Sequence, residues 1–206
     1  MFLGKLNKIN FKKASVTLSF IVLFECLLFP ALKDGVNFFS DRSEQSVSGY
    51  MLDVLRENRT GLGSLEELKL VEVILFESIS HKIDPLFVLA LIKTESTFYN
   101  WSKSINGALG LMQIKPSTGE ELAAELNLKW KGDETLLNPY INVKMGVHYF
   151  SNLMERYNDD REVTLAAYNV GPGIVDSRRK LQEGWGNQFV SRVLTNYKDL
   201  KERAEF

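Results

Sequence analysis

Glu95 is an acid in apolar company. It comes near the end of residues 85–96, "PLFVLALIKTES", a run in which Leu86, Phe87, Val88, Leu89, Leu91 and Ile92 surround a helix axis. A carboxyl group placed there is partly desolvated, and the negative end of the helix dipole lies beside it. Both effects disfavour the anion and raise the pKa. A carboxylic acid that keeps its proton near neutral pH can donate it to a poor leaving group such as a sugar alkoxide. General acid catalysis of this kind contributes about 10²–10⁴ in rate. Behind Glu95 comes a small polar and Gly-rich run: Ser104, then Gly107, Ala108 and Gly110, then Met112 and Gln113. The small residues let backbone approach a ligand, and Gln113 carries both a donor and an acceptor suited to an N-acetyl or hydroxyl group. Met112 fits either a core or a cleft wall and is taken as a candidate substrate contact. Further on, Tyr168 and Asn169 end another helical stretch just before a Gly-Pro-Gly turn, where side chains can face a cavity.

These residues need elements to hold them. Asp84 and Pro85 have the types of an N-cap and first helical residue, and they start the helix that ends near Glu95. Upstream, Ser64 and Glu67 have capping-box spacing, followed by Leu68, Val71, Leu75 and Ile79 at helical intervals. Pro116 opens a helix through "STGEELAAELN". Asn138 and Pro139 repeat the cap-plus-proline device, and Asp160 and Gly171 bracket another helix. An amphipathic "NQFVSRVLTNYKDLKERAEF" closes the chain. No sustained period-2 segment is present, so the fold class is mostly α.

The segments "ALIKTESTF", "SINGALGLMQIKPST", "LLNPYINVKMGVHYFSNLMERY" and "LAAYNVGPGIV" occur in this order. They closely resemble the successive signature blocks of the soluble lytic transglycosylase domain, whose fold is similar to goose-type lysozyme. The resemblance covers roughly residues 66–198. It implies that Glu95 is a single catalytic acid/base acting on peptidoglycan glycan strands. It further implies that Ser104 orients an acetamido group, that Gln113 binds substrate, that Tyr168 positions the glutamate and that Asn169 lies near the reacting sugar. Two positions depart from the pattern: Asn106 stands where Pro or Ala is common, and Lys115 where Met is common. Glycosidases ordinarily use two carboxylates. No second acid occurs between Glu95 and Pro116, and Glu120, Glu121 and Asp160 fall on positions expected to be solvated. The resemblance therefore implies a substrate-assisted cleavage between N-acetylmuramic acid and N-acetylglucosamine that leaves 1,6-anhydro ends. A hydrolytic muramidase on the same fold and a non-catalytic peptidoglycan-binding protein are the alternatives.

The 206 residues, 45% of them hydrophobic, suffice for one substantial core. With a net charge of −1 and its charges interspersed, the chain lacks the basic stripe of a nucleic-acid binder. One cysteine, Cys26, and two histidines distant in sequence, His81 and His148, build no disulfide framework or zinc site, and no phosphate loop is present. No metal or cofactor is expected. The N-terminus places Lys5, Lys8, Lys12 and Lys13 before an apolar run over 14–32. That order is an export signal, and residues 1–32 are expected to be a signal peptide or an uncleaved anchor in the inner membrane. The absence of an A-x-A site favours the anchor, and Glu25 within the run counts against it. The positive-inside tendency puts the remainder on the periplasmic side. Removing residues 1–32 takes away four lysines and one glutamate and leaves a formal charge of −4. Residues 33–49 are expected to be a linker and 50–206 the catalytic domain, serving general wall turnover or a secretion machinery.

Overall fold

The computed structural model describes residues 42–180 and 188–204, so the expected anchor over 1–32 and most of the expected linker lie outside the described residues. The described helices are α1 (Arg42–Arg56), α2 (Ser64–Ser80), α3 (Pro85–Ser96), α4 (Pro116–Glu125), α5 (Asp133–Leu137), α6 (Pro139–Arg156), α7 (Arg161–Val170), α8 (Pro172–Lys180) and α9 (Gln188–Ala204). Extended backbone among the described residues is limited to isolated bridges from Lys103 to Leu109 and from Leu109 to Ile114. No described helix is long and apolar enough to cross a membrane.

The helix starts follow their caps. The Asp84 carboxylate accepts from the backbone N–H of Leu86, the Asn138 side chain from Tyr140 and Ile141, and Asp160 from Val163. Each satisfies donors that a first turn leaves without intrahelical partners, worth about 1 kcal/mol per cap. One cap differs from expectation. α2 is capped by Gly63, whose N–H donates to the Glu66 carboxylate at 2.7 Å. Glu67, expected to complete the box, is buried and accepts from the Thr60 hydroxyl at 2.6 Å. The buried face of α2 shifts accordingly to Glu67, Leu70, Val71, Ile74 and Glu77. Leu68 and Ile79, expected to point inward, are exposed together with Leu65 and Phe76. Apolar residues fall on several faces of this helix, so its pattern does not fix its rotation, and the buried polar partners decide it.

α1 begins at Arg42, inside the stretch read as linker. Its Met51, Val54 and Leu55 are buried and Val47 packs against the core, the i, i+4, i+7, i+8 pattern of a core-facing helix. Polar residues before Val47 hide that periodicity. α5 and α8 were also unforeseen; the expected Gly-Pro-Gly turn is instead the start of α8, with Pro172 as its first residue.

α3 is the central element. Leu89, Leu91 and Ile92 are fully buried, each contributing about 1.5–3 kcal/mol. α2 and α9 pack against α3. Tyr197 on α9 donates to Asp84 at 2.6 Å and Asn196 to the Thr94 hydroxyl at 2.9 Å, pinning both ends of α3. The Phe87 ring meets those of Phe150 on α6 and Tyr197 on α9, each at 5.3 Å. The two histidines meet across α2 and α6 in an edge-on pair at 5.7 Å, and among the described residues no cluster of metal-ligating side chains forms.

Candidate active site

α3 ends one residue past Glu95, because Thr97 turns into the left-handed region at φ 51° and Phe98 follows at φ 67°. Two consecutive non-glycine residues there cost on the order of 1–3 kcal/mol each. The fully buried Phe98 ring offsets this. The bend leaves the Glu95 carboxyl facing a cleft of about 510 Å³, lined also by Ser104, Gln113, Tyr149, Tyr168 and Asn169.

Burial pushes the Glu95 carboxyl up to about 8, against the opposing pull of the Arg192 guanidinium on α9. No described donor hydrogen-bonds the carboxyl, so among the described residues only the Arg192 charge favours the anion, and burial outweighs it. At neutral pH Glu95 carries its proton, as the sequence led us to expect.

The segment between α3 and α4 folds into the cleft wall. Ser104 and Ala108 exchange backbone hydrogen bonds with side-chain help: Ser104 N donates to the Ala108 carbonyl, and Ala108 N donates to the Ser104 hydroxyl oxygen, both at 3.0 Å. The Ser104 proton remains to be donated. Gln113, at φ 49°, spends its amide hydrogens on the carbonyls of Ser102 (3.2 Å) and Gly110 (2.9 Å). Because both partners are acceptors, the amide orientation is fixed and only its oxygen is offered, as an acceptor, where the sequence suggested both functions.

Two other expectations are corrected. Met112 is not a substrate contact: its side chain is fully buried, fitted into the space left by Gly146, where a Cβ would lie 2.4 Å from the sulfur. Gly110 does not make room for a ligand. A Cβ there, at φ 78°, would stand 2.4 Å from the Asn142 amide and 2.6 Å from the Leu136 carbonyl. Buried Asn142 is the organiser that sequence inspection missed. It accepts from Met112 N at 2.7 Å and donates to the carbonyls of Leu109 (3.0 Å) and Leu136 (2.8 Å), tying the loop to α6 and α5. An asparagine at a core-facing helix position was the available signal.

Tyr168 donates its hydroxyl to the Met112 carbonyl at 2.8 Å, not to Glu95. Its pKa lies well above the usual value, first through burial and then through the neighbouring Glu95 and Tyr149. Tyr168 is therefore beside the acid while bracing the loop that carries Gln113. Asn169, exposed at the end of α7, lines the cleft. Tyr149 packs on Tyr168 at 5.4 Å and was not anticipated. Nor was the cleft position of Glu121: it sits on a solvated helix face, yet that face of α4 borders the cleft together with Lys115 and Thr118. Its electrostatic neighbour is Tyr149, not Glu95.

This arrangement has known counterparts. The family described as Transglycosylase SLT domain matches residues 72–188. The soluble lytic murein transglycosylase of Escherichia coli (strain K12) is 32% identical over 95 residues, 46% of this chain and 15% of that protein. The membrane-bound lytic murein transglycosylase C of Histophilus somni (strain 2336) is 33% identical over 102 residues, 45% of this chain and 28% of its own. This chain thus spans under a third of the length of these relatives. Among solved structures, the 70 kDa soluble lytic transglycosylase of Escherichia coli superposes with a TM-score of 0.59 at 23% identity, covering 65% of this chain and 24% of that one. That likeness concerns the fold, which is the lysozyme-like helical fold expected. A match running from within α2 to the start of α9 takes in the acid, the loop and the tyrosine alike, and by it this chain belongs to the transglycosylase SLT domain family.

Proposed function

We propose that this protein is a peptidoglycan lytic transglycosylase in which Glu95 acts first as acid and then as base. The observation that carries it is a carboxyl group pushed up to about 8 by burial and open to a glycan-sized cleft. In the first step the Glu95 proton passes to the glycosidic oxygen between N-acetylmuramic acid and N-acetylglucosamine, and the bond from C1 to that oxygen breaks. The acetamido carbonyl of the muramoyl residue stabilises the cation. In the second step the Glu95 carboxylate takes the proton of the same sugar's 6-hydroxyl, whose oxygen bonds to C1. Glu95 is again protonated, no water is consumed, and a 1,6-anhydro end results.

Ser104 and Gln113 support this chemistry as a complementary pair. A hydroxyl proton and an amide oxygen suit an acetamido group, which presents one carbonyl and one N–H. Tyr168 holds the wall bearing Gln113, and Asn169 borders the reacting sugar. Residues 14–32 would anchor the chain in the inner membrane, with the catalytic domain on the periplasmic side. Lysines ahead of the apolar run support this, as does the membrane-bound name of one relative.

Purified sacculi digested with the protein should release muropeptides that mass spectrometry finds as 1,6-anhydro species. Products carrying only reducing ends would replace the transglycosylase with a muramidase, and no soluble product would leave a binding protein.

A further inference from the structure

The loop that walls the cleft has a second side. Its Ser104, Asn106 and Ala108 face the catalytic cleft, while Tyr99 and Ser102 line a separate groove of about 570 Å³ with Asn58, Arg59 and Thr97. Trp101, 52% exposed, does not line the groove, but its ring and that of the lining residue Tyr99, 38% exposed, both lie against Gly61. Exposed aromatic rings on a mobile segment would mean little. These two are built in. Tyr99 N donates to the Ser96 carbonyl, Asn100 N to Thr60 at 2.9 Å, and Ser102 N back to Tyr99. The fully buried Asn100 amide donates to the Leu137 carbonyl at 3.0 Å. The Trp101 indole N–H donates to the Gly61 carbonyl at 3.3 Å. Gly61, at φ 74°, leaves room for both rings, since a Cβ there would lie 2.9 Å from the indole and 3.2 Å from the Tyr99 ring. The left-handed turn at Thr97 and Phe98 is thus followed by two aromatic side chains that pack against Gly61 and stay exposed to water. Arg59 on the groove wall has no carboxylate among the described residues within ion-pair distance.

We propose that this groove is a second peptidoglycan-binding site, distinct from the catalytic cleft. A pyranose ring would stack on the Trp101 and Tyr99 pair, and a carboxylate of the attached peptide would pair with Arg59. Its C–H face suits an aromatic face, and the hydroxyls have Asn58, Thr97 and Ser102 as partners. The site would hold a wall strand beside the one being cut. Because it presumes peptidoglycan as the ligand, the proposal rests on the activity proposed above.

The test is retention of the full chain on purified sacculi, in a Glu95→Gln background that stops digestion. Trp101→Ala should weaken retention about five- to tenfold. Arg59→Gln, at an exposed position, should weaken it about two- to fivefold at low salt and less at high salt. Trp101→Phe keeps a stacking face and should restore most of the loss, separating stacking from misfolding. Retention unchanged by both Trp101→Ala and Arg59→Gln overturns the second site, even when the wild type releases anhydro-muropeptides. Retention that depends on Trp101 and Arg59 supports the site, even when the wild type releases none.

Discussion

Glu95 has a proton affinity that binds stability and activity to the same pH range. Its carboxyl rises from 4.5 to about 8 on folding, so the folded state holds this proton more tightly than the unfolded chain. Below pH 4.5 both states are protonated and nothing is lost. Between there and about 8 the unfolded chain ionises first, and stability falls by on the order of 3 kcal/mol by pH 7. Glu95→Gln removes that dependence. We expect it to raise the melting temperature at pH 7.5 relative to wild type, with the gain vanishing near pH 4.5, while anhydro-product release drops at least about 10²-fold. Thermal unfolding at the two pH values, with product assays alongside, checks both. Wild-type kcat/KM should decline as pH rises through about 8, where the acid loses its proton. Tyr168→Phe is a different case. Its hydroxyl serves the Met112 carbonyl, so removal leaves a buried acceptor without a partner and loosens the wall beside Gln113. We expect a loss of about fivefold in kcat/KM, expressed more in KM than in kcat, and a modest fall in melting temperature. Steady-state kinetics on soluble glycan fragments separates the two parameters.

The loop between α3 and α4 owes its shape to a buried amide. Gly107 and Gly110 both adopt positive φ, at 79° and 78°, so a side chain is strained at either. Only Gly110 also faces Asn142 and the Leu136 carbonyl, while nothing stands within 4 Å of a Cβ at Gly107. Gly110→Ala should therefore cost about 2–4 kcal/mol and Gly107→Ala about 1 kcal/mol, measured by chemical denaturation. The contrast marks what a sequence conveys. Caps and prolines declare themselves locally, which is why Asp84, Asn138 and Asp160 could be identified as N-caps from their spacing. Glu95 was legible because its apolar run is contiguous. The roles of Gly110, Met112 and Asn142 depend on residues about 30 positions away that the fold brings together, as the Met112–Asn142 and Asn142–Leu109 bonds show. The rotation of α2 was illegible for a related reason: its apolar residues fall on several faces, and the Thr60–Glu67 bond that chooses one lies outside its pattern. Glu121 is solvated as expected, and its place on the cleft border went unseen because solvent exposure and bordering a cleft are compatible.

For the whole molecule, the proposed orientation across the membrane rests on the lysines that precede the apolar run. A reporter joined after Phe206 should be active as alkaline phosphatase and silent as a cytoplasmic reporter; the reverse pattern would remove the proposed periplasmic placement. The helix α9 has a consequence in time. It supplies Asn196 to Thr94 and Tyr197 to Asp84, partners 102 and 113 residues apart, and Arg192 to the field at Glu95. Its Arg203 reaches Glu57 on α1 across 146 residues. During synthesis every described residue of the cleft therefore emerges before the helix that clasps the acid's own helix. A chain interrupted before residue 188 has the described cleft residues and lacks the clamp, so the activity proposed above should appear only once α9 is in place.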